Sequence, residues 1–239
     1  MSENIVVMPE NKTNGTFVNN DKRAFRAILW NIISPIATIV LVIVIVVTIV
    51  FLGISATGSG NSTTIWLSIV TGLLFLAVLA FIITSTVFYL QWVYRAHKNA
   101  VAISGKELFL SAGWHVGFHF IPLANIIVPY LLMLRIAEDS SSKESRTMVL
   151  IWWIAIIVSV VFSYGSIIFT LSALPGMLSS INADTVPVAS ATSGVESIFS
   201  GIANLASFTG FIVSFLVINS VTKGQKERAQ ELGMVTDEE

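Results

Sequence analysis

His115 and His119 stand four residues apart, a spacing that puts two imidazoles on one helical face, as in a two-histidine metal site. The hydrolytic version of that site needs a glutamate directly after the first histidine, and this chain has Val116 there. No Asp or Glu lies between Glu107 and Glu138 to act as third ligand or base. The chain has no cysteine, so thiolate ligands, thiolate nucleophiles and disulfides are excluded. No Gly-rich phosphate loop, serine triad arrangement or paired catalytic carboxylate is present. The two histidines therefore read as packing or interfacial side chains. No metal and no cofactor is expected, and the chain is not expected to be an enzyme.

A second polar pair, Arg95 and Asn99, is also four apart and follows Tyr94 on the end of an apolar run. A guanidinium and an amide on one helical face could hold a lipid phosphate. They could equally donate to backbone carbonyls freed by the prolines downstream, and this clamping role is the expected one. Those prolines are Pro122 and Pro129, in the stretch Leu108 to Arg135 with Trp114, Asn125 and Tyr130. Pro122 removes the donor that would serve the Phe118 carbonyl, and Pro129 does the same for Asn125. Asn125 is the best candidate for a functional polar group inside the membrane, because a buried amide is costly unless paired.

The elements that must position these residues follow from composition. Of 239 residues, 54% are hydrophobic and 11% charged, far from the quarter charged that is usual in soluble domains. The apolar residues come in blocks of twenty or more, the length a helix needs to cross a bilayer core of roughly 30 Å. The fold class is thus an all-α integral membrane protein. A net charge of −1, with no dense basic surface, argues against nucleic acid as a partner.

Residues 1–31 form a polar N-terminal tail too poor in apolar residues to pack a core. The membrane domain covers 32–221, with spans at 32–54, 65–92, 148–171 and 198–221, and a charged tail occupies 222–239. Pro35 is expected in the first turn of the first span, where its missing N–H costs little. The second helix should run on past the membrane, with Tyr89, Trp92, Val93, Ala96, Ala100 and Ile103 on one face and Gly105 as its stop. Pro175-Gly176 should close the third span. On the fourth, Ala206, Gly210 and Ser214 make a small-residue stripe that would admit a close helix.

Charge decides the threading. Lys and Arg collect on the cytoplasmic side of membrane proteins. With four spans and both termini cytoplasmic, all 13 Lys and Arg fall on that side. If Leu108–Arg135 crossed as a fifth span, they would divide almost evenly. The segment 108–135 is therefore expected to enter from the cytoplasmic face and return, or to lie flat in the interface. Proline-freed carbonyls are tolerated there only under protein or beside water. Two short limbs joined near Phe118–Asn125 would result, the residue before Pro122 being pushed to extended geometry.

The residues from Trp92 to Tyr130 resemble a bacterial multi-pass membrane family catalogued as domain of unknown function 4328. The matching residues are Trp92, Tyr94, Arg95, Ala96 and Asn99, then Gly113, Trp114, Val116, Gly117, Phe120, Ile121, Pro122, Ala124, Asn125, Pro129 and Tyr130. His115 and His119 stand where the pattern has apolar or aromatic residues. The resemblance implies compartment and fold, a multi-pass bacterial inner-membrane protein, and brings no activity.

The functional expectation is a non-enzymatic membrane component that engages a partner protein or lipid through 108–135. The partners expected are the bilayer, with anionic headgroups drawn to the basic residues, and a membrane protein or a second copy of the chain. The alternative is a small channel or transporter for a neutral or lipidic solute. No formal charge sits within any span, which weakens ion-coupled transport.

Overall fold

The computed structural model describes residues 16–55, 62–140, 143–182 and 192–234, and parts of both expected tails and of the three linkers lie outside these. Among the described residues six α-helices follow one another: α1 (Asp21–Ser55), α2 (Ser62–Ser104), α3 (Ala112–Gly117), α4 (Ala124–Asp139), α5 (Lys143–Asn182) and α6 (Thr192–Glu231), with a 3-10 turn, Phe118–Phe120, between α3 and α4. No strand occurs among the described residues. Within α1, α2, α5 and α6 lie four segments long and apolar enough to cross a membrane. Large apolar side chains such as Ile39, Ile43, Leu73, Leu76, Ile168 and Leu205 point outward along them. In water such surfaces would be unfavourable, whereas lipid solvates them, and helices satisfy their own backbone. The chain is a multi-pass all-α membrane protein.

Each expected span lies inside a longer helix. α1 begins at Asp21 because Asn19 Oδ1 accepts from the Asp21 N–H at 2.8 Å, and the Asn20 carbonyl accepts from Arg23 and Ala24. Pro35 is therefore interior to α1 and not in its first turn. α5 likewise runs through Pro175 and Gly176 to Asn182, where the sequence predicted a stop. One proline removes one hydrogen bond, but unwinding in an apolar medium would expose many backbone groups.

By contact the chain divides into two compact units, Met1–Asn125 with Gln225–Glu239, and Ile126–Gly224. In the first unit α1 lies along α2. Trp30 sits 5.8 Å from both Phe81 and Phe88, Ser85 donates to Asn31 Oδ1 at 2.9 Å, and the Thr48 and Thr71 hydroxyls meet at 3.2 Å. The far end of α2 buries Trp92, Val93, Ala96, Ala100 and Ile103 as their spacing predicted. The last part of α6 docks on it: Gln225 Nε2 donates to the Ala96 carbonyl at 2.8 Å, and Lys226 pairs with Asp21 at 3.1 Å.

In the second unit α4 buries Pro129, Leu132, Met133, Ile136 and Ala137, one face at three-to-four spacing. Pro129 thus sits inside a helix and does not break it. Tyr130 stacks on Trp153 of α5 with centroids 5.0 Å apart. Gly210 brings α6 within 3.5 Å of Ala155 Cβ for any added Cβ, and the Ser159 and Ser207 hydroxyls meet at 2.6 Å. The small-residue stripe does what its composition suggested, through one of its three members.

Candidate functional site

A polar site forms in the first unit where α2 ends. Gly105 takes a left-handed φ of 65° and its N–H caps the Val101 carbonyl at 2.9 Å, so the chain turns off the helix there. It re-enters helix at Ser111, whose Oγ accepts from the Trp114 N–H at 3.4 Å. The loop and α3 are thereby folded against the last turns of α2.

Three histidines meet in this fold-back, all that the chain contains. His97 Nδ1 lies 3.3 Å from His115 Nδ1, with both rings buried. His115 and His119 stack with centroids 5.7 Å apart, and His119 Nδ1 donates to the His115 carbonyl at 2.9 Å. The Tyr89 ring meets the edge of His119 at 5.8 Å. Burial pushes the His119 imidazole below its ordinary value of 6.5, against a smaller opposing pull from the His115 and Val116 carbonyls. Sequence spacing pairs only His115 and His119. The one available signal for His97 is position, a histidine among the apolar residues of the α2 stripe. Among the described residues no group of three or more His, Cys, Asp or Glu could hold a metal ion.

Beside the histidines lies a cavity of about 350 Å³, lined by Thr16, Arg95, His97, Lys98, Glu107 and Ser111, among others. Arg95 Nη2 donates to the Thr16 carbonyl at 2.9 Å, while its Nε is buried with no hydrogen-bond partner among the described residues. Lys98 places its ammonium 4.9 Å from the centre of the Tyr94 ring, a cation–π contact.

The structure distributes the predicted site residues differently from the expectation. Asn99 is fully buried, its amide donating to the Val18 carbonyl at 2.9 Å and accepting from the Val18 N–H at 3.2 Å. Arg95 and Asn99 thus hold the segment Thr16–Asn20, not the carbonyls of 108–135. That segment enters α1 and its unpaired backbone lies nearest the two donors. The Phe118 carbonyl, deprived by Pro122, accepts instead from Ile121 N–H at 3.4 Å. The chain breaks at Pro122 alone: Ile121 to Leu123 form the turn, and Leu123 has a φ of 66°. Asn125 is exposed and sits in the first turn of α4, donating through its backbone to the Ile121 carbonyl at 2.9 Å. Trp114 is exposed and rests on Phe118 at 5.6 Å. Tyr94, Arg95 and Asn99 come together with Trp114's helix, whereas Pro129 and Tyr130 belong to the second unit.

No curated protein and no solved structure matches the chain. A family model does, over residues 58–223, more than half of the length. The matched region holds α2, the histidine cluster, the proline turn and most of α6, and the chain belongs to the family described as Domain of unknown function (DUF4328).

Proposed function

We propose that this protein is a non-enzymatic, multi-pass component of a bacterial cytoplasmic membrane, with both termini in the cytoplasm, that engages lipid or a partner protein through residues 108–135. One observation carries the reading. Phe109, Trp114, Phe120, Ile121, Leu123 and Ile127 are exposed, Leu123 at 80% and Phe120 at 67%, on a segment outside the four spanning helices. Large apolar side chains left exposed on one short segment mark a membrane or protein contact. Water would penalise it at roughly 25 cal/mol per Å². The proline turn supports a segment that dips and returns, and the one-sided distribution of Lys and Arg supports the cytoplasmic face.

The absence of cysteine makes the test direct. Leu123→Cys carrying a benzophenone is irradiated in native membranes, with Arg228→Cys as the exposed polar control. Adducts to lipid, to a stoichiometric protein or to a second copy of the chain at Leu123 above the control support engagement and name the occupant. Labelling at Leu123 no greater than at Arg228 overturns it.

A further inference from the structure

The cavity at the end of α2 takes Ser111 and Ala112 from the segment 108–135 but none of its exposed apolar side chains, and its charged residues make no ion pair with one another. Its lining offers two cations, Arg95 and Lys98, and one carboxylate, Glu107. The Ser111 Oγ accepts from a backbone N–H and keeps its own proton to donate. Arg95 spends Nη2 on the Thr16 carbonyl, while its Nη1 is neither buried nor paired among the described residues and can donate to an oxyanion in the cavity. At about 350 Å³ the cavity stands at the lower end of small-molecule pockets, roughly 300–1,000 Å³, room for a headgroup and not for a nucleotide.

We propose that this cavity binds a zwitterionic phosphodiester of the phosphoethanolamine kind, with the phosphate on Arg95 and Lys98 and the primary ammonium on Glu107. Arg95 and Lys98 stand for the phosphodiester monoanion and Glu107 for the ammonium, so each charge of the zwitterion meets its opposite. Glu107 then selects the amine. A primary ammonium gives that carboxylate N–H donors, whereas a quaternary ammonium has none and leaves it with charge attraction alone. His97, engaged with His115 through Nδ1, walls one side of the cavity. The same chemistry could reach the site as a bilayer lipid or as the free soluble ester.

Full-length protein in mild detergent is titrated calorimetrically with dihexanoyl phosphatidylethanolamine, dihexanoyl phosphatidylcholine and free glycerophosphoethanolamine. The ethanolamine lipid is expected to bind about tenfold more tightly than the choline lipid, the step that one charge-assisted hydrogen bond supplies. Lys98→Ala, an exposed position, should weaken it several-fold without lowering the unfolding temperature. Glu107→Gln should bring the two lipids to near-equal affinity while both still bind. Free glycerophosphoethanolamine binding as tightly as the lipid makes the ligand a soluble ester; markedly weaker binding makes it a lipid. Equal affinity of the native protein for the two lipids, an unaffected Lys98→Ala, or no saturable binding of any probe overturns the proposal. None of these results bears on the cross-linking at Leu123, which stands or falls separately.

Discussion

His97 Nδ1 and His115 Nδ1 face each other across 3.3 Å, both rings buried in the fold-back. Only one proton fits between them, so one ring donates and the other accepts. This bond ties α3 to α2 across the turn at Gly105. Replacing one partner leaves a buried ring nitrogen without its mate, at a cost of about 2 kcal/mol. His115→Phe is therefore expected to destabilise the protein by about that amount, and adding His97→Phe to recover part of it. Denaturant unfolding of the two single variants and the double one in detergent measures the difference. Strict additivity would show that the rings do not interact.

His119 makes stability depend on pH. Desolvation lowers its affinity for a proton in the folded chain, while the unfolded chain titrates near 6.5. Below about pH 6.5 the unfolded state binds more protons than the folded one, so stability is lost as the pH falls, by at most about 1.4 kcal/mol per pH unit for this residue. Above that value the contribution is fully present. His119→Phe should make the fall shallower on the acid side, and unfolding temperatures measured across that range would read it. An unchanged slope would mean that His119 is accessible to protons in the fold.

Asn99 pins the entry to α1 through two bonds to Val18. Asn99→Ala removes both and should cost about 1–2 kcal/mol, concentrated at the start of the chain. Hydrogen exchange at the Val18 amide is expected to accelerate while exchange along the buried stretch of α2 changes little. Uniform acceleration throughout would place Asn99 in the global core instead.

Two glycines of α6 give opposite expectations. A Cβ on Gly224 would run into the Ser140 backbone carbonyl, which cannot swing aside, whereas nothing lies within 4 Å of one on Gly201. Gly224→Ala should therefore destabilise by about 1–3 kcal/mol. Gly201→Ala should be neutral or stabilise by up to about 1 kcal/mol, because alanine costs less backbone entropy in a helix. Unfolding of the two variants side by side decides it.

Leu123 adopts a left-handed φ of 66° and is 80% exposed, an expensive arrangement for a bulky side chain. Leu123→Gly should relieve about 1–2 kcal/mol of backbone strain. If the side chain contacts lipid or a partner, the same change should reduce membrane cross-linking from a probe at Phe120. Higher stability with reduced cross-linking is the expected combination; lower stability would show that the leucine packs.

The sequence alone determined the membrane class, the four spanning segments and the buried stripe of α2, because each rests on a one-dimensional signal. Block hydrophobicity reports the solvent of a helix, and spacing reports its face. It also located the chain break at Pro122 and the turn at Gly105, where backbone chemistry is local. It misjudged Pro35, Pro129 and Pro175, since whether a proline ends a helix depends on what else would satisfy the backbone. The long-range contacts were beyond it. Nothing in the spacing says that His97 meets His115, or that Arg95 and Asn99 reach back 79 and 81 residues to Thr16 and Val18. Those pairings were decided only in three dimensions, by the turn that lays α3 on α2 and by which unpaired backbone came nearest to a buried donor.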